Sequence, residues 1–520
     1  MPRTPAITRT AVYAISALIA ALPARAQTPM TGAEQAAFDR HTSHAELMSF
    51  LYDVQARSDH MRVEELTVTN EGRVMPIVYL GAPPPSNPGA AWFSGRPTLF
   101  FTGNVHGNER AGREGSLQLI RELATGELQT LLDRVNVLIV PTLNPDGAEN
   151  RSRSNSLGYD MNRDFIVAET PEITAVLEKI LTQWWPDIYV DVHNGGSWPY
   201  NVTYQATLHP SADSQLVAFA RGPMYDAVTR HLATHDMIMY WYSGPRRLDS
   251  GEYVWATTEP WARKQHTYGG LQNMLTLLFE IPGNWTLAQQ ADNARETMEG
   301  LIRFAADNAT DVRSIITGAR RRTVDAPPAN VVLQIESAAY PQPEQFFVRQ
   351  QGQAEPVLVT GQNRTLYRPT ATRPWPWAYA FDRNLQKVAD LLHRHAIQVE
   401  QLREPVTANV EQFRIISLEW DTQPYQNHLN ASATTELVPG SVELPAGTYI
   451  VRMSQNAARV IAQLFEPDTD DSLVVWNFLD HELRAPGGRG GRGGRGGDGG
   501  QRLPIYRLPR PVGLQATIVR

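Results

Sequence analysis

The sequence contains no cysteine among its 520 residues. This absence excludes a disulfide scaffold, a cysteine nucleophile and a thiolate metal site. Any metal ion must therefore be bound by histidine and carboxylate side chains. The sequence also lacks a G-x-S-x-G motif and a P-loop motif, so no motif indicates a serine-triad enzyme or a phosphate-transfer enzyme.

Long apolar runs are missing after residue 26, since none reaches the roughly 18 uninterrupted residues of a membrane span. Residues 1–26 are typical of a secretory signal peptide, with Arg3 and Arg9 before an apolar run and a small-x-small cleavage site ending at Ala26. An uncleaved anchor is the alternative. Cleavage removes three arginines and no acid, which moves the net charge from −7 to −10 and argues against nucleic acid as a partner. We expect an exported protein, periplasmic or secreted, without a membrane span.

Short apolar runs alternate with helical patterns from about residue 96 onward. The helical patterns cover 111–124 and 171–185, the second opening with Thr170 and Pro171 as a cap and first turn. This alternation predicts an open α/β sheet, whose chemistry lies at the carboxyl ends of its strands. The predicted strands are 97–102, 135–141, 187–192 and 275–281.

The composition changes after about residue 322, which predicts three segments. These are the signal peptide at 1–26, a catalytic domain at 27–322 and a smaller C-terminal α/β appendage at 323–520. The appendage contains a Gly/Arg-rich stretch at 487–500. Such a stretch can bind RNA, but it has no interleaved aromatic residue, so a flexible surface loop is the preferred interpretation.

Two histidines follow predicted strands, and both are candidate metal ligands. His106 and Glu109 are three residues apart on a strand-to-helix turn, and His193 directly follows the strand at 187–192. Together they form a possible His₂Glu set, which leaves one zinc position open for water and is typical of catalytic sites. His231 and His235 also have a metal-binding spacing, but Leu232 occupies the position of a zincin glutamate, so no rival site is predicted there.

The segment between the two histidine motifs is rich in arginine. Arg151, Arg153 and Arg163 lie within thirteen residues of one another. Most such arginines are solvated or pair with nearby acids. A fixed guanidinium can also grip a carboxylate at two points or stabilise a developing oxyanion, and both are useful beside a metal.

The order HGNE, NPDG, R-x-N-x-x-G-x-D-M-N-R-D, DVHNG and LLFEIPG resembles the zinc carboxypeptidase (carboxypeptidase A-like metallopeptidase) family. These motifs extend from His106 to Glu280. The resemblance implies an open, mixed, mostly parallel sheet flanked by helices. It also implies a zinc metallocarboxypeptidase that hydrolyses the C-terminal peptide bond of a peptide by a zinc-activated water.

The resemblance assigns roles at the metal. It implies one zinc ion per chain, held by His106, Glu109 and His193, and it makes Glu280 the general base. Asp160 matches the acid that orients the first zinc histidine.

The resemblance also assigns substrate contacts. Arg153 matches the arginine that stabilises the oxyanion, with Arg151 as the alternative. Asn162 and Arg163 match the pair that holds the substrate's terminal carboxylate. The tyrosine that closes over the substrate is placed at Tyr268, with two competing candidates, Tyr242 and Tyr253. Asn108 stands where the family has an arginine.

Two alternative functions remain. The first is a zinc amidase or peptidase that acts on peptidoglycan stem peptides or acyl-amino acids. The second is a secreted binding protein with a vestigial zinc site, which the presence of all four core residues argues against.

Overall fold

The structure is a computed structural model that describes residues 28–350, 353, 355–483 and 500–519. The predicted signal peptide and residues 487–499 of the Gly/Arg-rich stretch lie outside these residues. Twenty-one strands are present in the described part: β1 Met61–Val68, β2 Val74–Leu80, β3 Thr98–Gly103, β4 Asn136–Val140, β5 Ile188–Asn194, β6 Val202–Ala206, β7 Met239–Trp241, β8 Gly244–Arg247, β9 Tyr253–Ala256, β10 Leu275–Ile281, β11 Asn330–Ala338, β12 Glu344–Val348, β13 Val357–Arg364, β14 Leu366–Pro374, β15 Ala378–Phe381, β16 Val399–Leu402, β17 Val406–Trp420, β18 Ala431–Leu444, β19 Tyr449–Arg452, β20 Arg502–Leu508 and β21 Ala516–Val519.

Fourteen α-helices are found in the same part of the chain: α1 Gly32–Gln35, α2 His44–Gln55, α3 Pro88–Phe93, α4 Ala111–Thr125, α5 Pro145–Asn150, α6 Pro171–Ala175, α7 Ser214–Phe219, α8 Tyr225–Ala233, α9 Gln265–Leu271, α10 Leu287–Asp307, α11 Ala309–Asp325, α12 Gln386–Arg394, α13 Ala458–Phe465 and α14 Asp480–Leu483. Short 3-10 segments occur at Glu127–Asp133 and Met161–Arg163, and π-helical turns at Val176–Leu181 and Ala220–Met224.

An eight-stranded sheet in the order β1-β2-β4-β3-β5-β10-β6-β7 forms the centre of the N-terminal part. The pairs β4-β3, β3-β5, β5-β10 and β6-β7 are parallel, and the pairs β1-β2, β2-β4 and β10-β6 are antiparallel. The sheet is therefore mixed and mostly parallel, as the resemblance implies. Strands β3, β4 and β10 are buried at every position, because helices and the C-terminal part cover both faces.

The elements predicted between residues 97 and 281 are confirmed with small shifts at their ends. Helix α6 begins as predicted, with the Thr170 side chain accepting from the backbone of Ile173 and Pro171 in the first turn. The pattern over 171–185 is shorter than predicted as an α-helix, because α6 gives way to a π-helical turn at Val176–Leu181.

The C-terminal part is dominated by strands. Its seven-stranded sheet, in the order β18-β17-β20-β15-β19-β16-β21, is antiparallel throughout. Helices α12 and α13 add the helical component that the sequence predicts. A four-stranded sheet, β12-β13-β9-β8, takes two strands from each side of residue 322, and α11 runs across that residue. The boundary at 322 stays a prediction.

Within the part of the chain that the structure describes, no helix combines the length and the apolar character needed to cross a bilayer.

Candidate metal centre

Three neighbouring parallel strands bring the predicted site residues together. His106 lies in the turn after β3, His193 lies near the end of β5, and Glu280 lies near the end of β10. Glu280 is in register with His193 across the β10-β5 pair. The site therefore forms at the carboxyl ends of the strands, as expected for an open α/β sheet.

The turn after β3 is held in shape by Asn104. Its side-chain amide donates to the carbonyl oxygens of His106 at 2.9 Å and Glu109 at 2.5 Å. Asn144, from the NPDG segment, donates to the carbonyl oxygen of Val105 at 3.2 Å and so fixes the turn from the other side. Both asparagines satisfy backbone groups that the turn leaves unpaired.

His106, Glu109 and His193 place their ligand atoms around one point. Nδ1 of His106 lies 2.7 Å from Oε1 of Glu109, and Nδ1 of His193 lies 2.8 Å from Oε2 of the same carboxylate. The two Nδ1 atoms are 3.1 Å apart. Bonds of roughly 2.0–2.1 Å to a tetrahedral zinc ion would separate two ligand nitrogens by about 3.3 Å, so this set fits zinc.

A second carboxylate orients each imidazole. Nε2 of His106 donates to Asp160 at 2.9 Å, and Nε2 of His193 donates to Asp191 at 2.7 Å. Burial opposes protonation of both histidines, but the three carboxylates outweigh it and raise the pKa of each. Because the Nε2 atoms already donate outward, a dication between the Nδ1 atoms would take the place of two ring protons. Asp191 is not among the predicted site residues, although the pattern D-x-H at the end of a buried strand indicates such an acid.

Asp160 connects the histidine to the arginines. Burial alone would raise its pKa, but the bond from His106 and the nearby guanidinium groups hold the pKa well below its usual range. Nη2 of Arg153 contacts Oδ2 of Asp160 at 3.0 Å, and Nη1 of Arg153 lies 3.4 Å from Glu109. The Arg153 side chain is 47% exposed, so it lies at the rim of the site. Arg151, the alternative, lines a surface hollow with His41 and Asn108.

Glu280 lies in a buried recess beside His193. A Cβ atom on Gly195 would lie only 2.2 Å from Oε2 of Glu280, so glycine at this position leaves room for the carboxylate. Burial raises the pKa of Glu280 to about 7. The phenol of Tyr242 lies beside this carboxylate, and the charge of Glu280 together with burial raises the pKa of the phenol.

Asn162 and Arg163 lie next to the metal ligands. Oδ1 of Asn162 accepts from the backbone of Gln265 at 3.0 Å, which fixes its amide orientation. Its Nδ2 lies 3.3 Å from Nε2 of His193. That nitrogen donates to Asp191 and cannot also accept, so the N–H groups of Asn162 make no hydrogen bond to it. Nη1 of Arg163 donates to the carbonyl oxygen of Asn162 at 2.7 Å, which tethers the guanidinium beside the site.

The prediction for Tyr268 is wrong. Tyr268 is fully buried, and its hydroxyl bonds to Nδ1 of His395 at 2.7 Å and accepts from Gln272 at 2.9 Å. A side chain held in the core by two hydrogen bonds has no route to a substrate. Of the competing tyrosines, Tyr253 lies in β9, in the four-stranded sheet, and Tyr242 adjoins Glu280.

The geometry defines the class of site, which is a buried His₂Glu centre with a neighbouring carboxylate and a cationic rim. Residues 47–247 match the sequence profile of the Zinc carboxypeptidase family. This match, together with similarity to known carboxypeptidases, supports a hydrolase of the zinc metallocarboxypeptidase class.

Several individual proteins are similar to the chain. Carboxypeptidase 2 of Trichophyton rubrum is 24% identical over 437 residues, which cover 79% of this chain and 79% of that protein. Carboxypeptidase M of Mus musculus is 29% identical over 198 residues, covering 33% of this chain and 43% of that protein. A solved metallo-carboxypeptidase from Burkholderia cenocepacia has a TM-score of 0.42 and 23% identity, covering 51% of this chain and 70% of that chain.

Proposed function

We propose that this protein is an exported metallocarboxypeptidase that uses one zinc ion at its catalytic centre to remove residues from the free C-terminus of peptides. The convergence of His106, Glu109 and His193 at the ends of β3 and β5, with Glu280 beside them, is the observation that carries the proposal. Export rests on the signal-peptide pattern of residues 1–26. Zinc, when bound, lowers the pKa of a water toward neutrality and polarises the scissile carbonyl.

The other catalytic roles are assigned to individual side chains. Glu280 accepts the proton of the attacking water and returns it to the leaving amine, because its carboxylate lies beside the metal ligands and is not one of them. Arg153 stabilises the oxyanion that develops on the carbonyl. Asp160 keeps Nδ1 of His106 free of its proton by accepting from Nε2, and Tyr242 lies where a phenol would contact the substrate beside Glu280.

Arg163 and Asn162 supply the grip on the terminal carboxylate. A guanidinium can bind a carboxylate at two points, and the amide of Asn162 adds a donor beside it. A substrate held in this way presents its last peptide bond, so cleavage releases single residues.

Binding of the terminal carboxylate is tested with peptides supplied as free acids and as C-terminal amides. We expect mass spectrometry to show loss of single terminal residues from the free acids only. In the Arg163→Ala variant, we expect kcat/KM for the free acids to fall by about 10- to 150-fold, since hydrogen bonds to charged groups contribute roughly 1.5–3 kcal/mol. The amides should remain uncleaved by both the wild type and this variant.

The exposed Arg303, which pairs with Glu299 on α10, provides the matched control. Arg303→Ala should behave as the wild type. Equal cleavage of acids and amides would remove the proposed role of Arg163 and Asn162, and muropeptides would then be the substrates to test.

A second prediction separates Arg153 from Arg151. Removing a donor to the developing oxyanion lowers kcat by about 10²–10³-fold. We expect this loss in Arg153→Ala, because Arg153 contacts Glu109 and Asp160. In Arg151→Ala we expect a kcat within about twofold of the wild type, because Arg151 lines the hollow beside His41. Steady-state kinetics with one free-acid peptide measures both. The reverse result would assign the oxyanion contact to Arg151.

A further inference from the structure

A second group of metal-binding side chains lies on the helices that cover one face of the central sheet. His231 lies on α8, His235 follows the end of that helix, and Glu296 lies on α10. Their ligand atoms all lie within 4.8 Å of one another. Only the two histidines are predictable from the sequence, because the position where a zincin has its acid holds Leu232, which is fully buried in the apolar core. The third donor comes from a helix some sixty residues further along.

The three donor atoms face one another directly. Nε2 of His231 lies 3.1 Å from Oε2 of Glu296, and Nε2 of His235 lies 3.5 Å from the same oxygen. Arg295 bonds to the other oxygen of this carboxylate, so Oε2 is left for the histidines. Two imidazoles and one carboxylate oxygen are the donors that Zn²⁺, Ni²⁺ and Cu²⁺ prefer.

Nδ1 of His235 is engaged by its own helix, which leaves Nε2 for Glu296. Nδ1 lies 3.2 Å from the carbonyl oxygen of His231, an atom that can only accept a hydrogen bond. The ring nitrogen that faces the carboxylate is therefore Nε2. Metal-binding histidines are commonly oriented in this way, with one ring nitrogen donating to a backbone carbonyl oxygen and the other facing the metal.

The packing of α8 on α10 is built around this arrangement. A Cβ atom on Gly300 would lie 2.7 Å from Cδ2 of His231, so glycine allows the imidazole to lie against α10 one turn after Glu296. Glu296 is buried, whereas the His235 side chain is 38% exposed. Water can thus complete the coordination of an ion on the outer side.

We propose that His231, His235 and Glu296 form a second divalent transition-metal site, which binds Zn²⁺ and links α8 to α10. This site shares no residue with the centre at His106, Glu109 and His193. It stabilises the fold and takes no part in peptide hydrolysis. Its existence does not depend on the proposed function.

Zinc stoichiometry tests this proposal on the full chain after chelation and dialysis. We expect equilibrium dialysis with Zn²⁺ and elemental analysis to find two zinc ions per wild-type chain and one per His235→Gln chain. His235→Gln should keep full peptidase activity. Zinc should raise the thermal unfolding midpoint of the wild type by more than that of His235→Gln. The exposed His481 provides a matched control, and His481→Gln should retain two ions.

His231→Gln gives an independent variant, with one ion expected. One zinc ion in both the wild type and His235→Gln would overturn the proposal, because the group would then be a histidine–glutamate ion pair. Two ions in His235→Gln would overturn it as well. Neither result would affect the proposed peptidase activity, which depends on the other centre.

Discussion

Replacing Glu280 with glutamine is expected to reduce kcat by about 10²–10⁴-fold while zinc binding is retained. The amide has nearly the same shape as the carboxylate but cannot accept a proton. Since the recess beside Gly195 already fits this side chain, we expect little structural change. The metal ligands are other residues, so elemental analysis should find the same zinc content as in the wild type.

The pH dependence of the wild type follows from the same residue. A protonated Glu280 cannot act as a base, so kcat should fall as the pH drops through its pKa. Burial raises this pKa to about 7, and a bound dication lowers it, so the acid limb should lie below pH 7.

A matched control for Glu280 is available on α6. Glu172 is also buried, and burial raises its pKa to about 6, but it bonds to Asn155 outside the metal centre. Glu172→Gln should keep kcat near the wild-type value. A Glu280→Gln enzyme with wild-type kcat would contradict the proposed role of Glu280 as the base.

Deleting residues 323–520 is expected to leave a chain that does not fold. One buried apolar cluster includes Tyr268 and Met274 from the N-terminal part together with Ile397 and Val460 from the C-terminal part. Removing one side of this cluster exposes the other to water. Domains are stable by only about 5–15 kcal/mol. Exposing one side of this cluster removes more burial free energy than such a domain can lose and still fold.

Polar contacts cross the same junction. Nε of Arg263 contacts Asp471 at 2.7 Å, and both side chains are buried. The indole of Trp476 donates to the same carboxylate at 3.0 Å. Arg263 directly precedes Lys264 and α9, so this ion pair anchors the segment that contacts Asn162.

Circular dichroism and thermal unfolding of the 28–322 fragment test this prediction. A milder test is the single substitution Asp471→Ala in the full chain. It leaves the buried guanidinium of Arg263 without its carboxylate, which costs about 3–5 kcal/mol, so it should lower the unfolding midpoint. Arg134 and Asp307 form an exposed ion pair, so Asp307→Ala should change the midpoint little. A soluble fragment that unfolds cooperatively and binds zinc would show that the N-terminal part is independent.

The convergence of His106, Glu109 and His193 is predictable from the sequence because its signal is local. His106 and Glu109 are three residues apart in one turn, and His193 and Glu280 each end a buried strand, so sheet topology alone brings them together. The strands at 97–102 and 275–281 are predictable for the same reason, since buried parallel strands are continuous apolar runs. These are the elements in which pattern and environment agree.

Tyr268 shows where that reasoning fails. A distance of twelve residues from Glu280 does not reveal which face of α9 the side chain occupies, and the partner that holds it, His395, lies in the other part of the chain. Strands β17 and β18 were not predicted, because their burial alternates weakly along long and partly exposed runs.

Contacts between distant segments are equally hidden from the sequence. Gln426 follows β17 and accepts from the backbone of Asp160 at 2.9 Å, although the two residues are 266 positions apart. No short sequence motif predicts such a contact.

The order of strands in the C-terminal sheet has a consequence for the support of Asp160. Strand β20 lies between β17 and β15 in the interior of the sheet. Among the described residues, the β17–β18 hairpin that carries Gln426 to Asp160 is therefore joined to the rest of this sheet through β20. Loss of β20 would leave the hairpin without its lateral hydrogen bonds, so one contact of Asp160 depends on a strand in the other part of the chain.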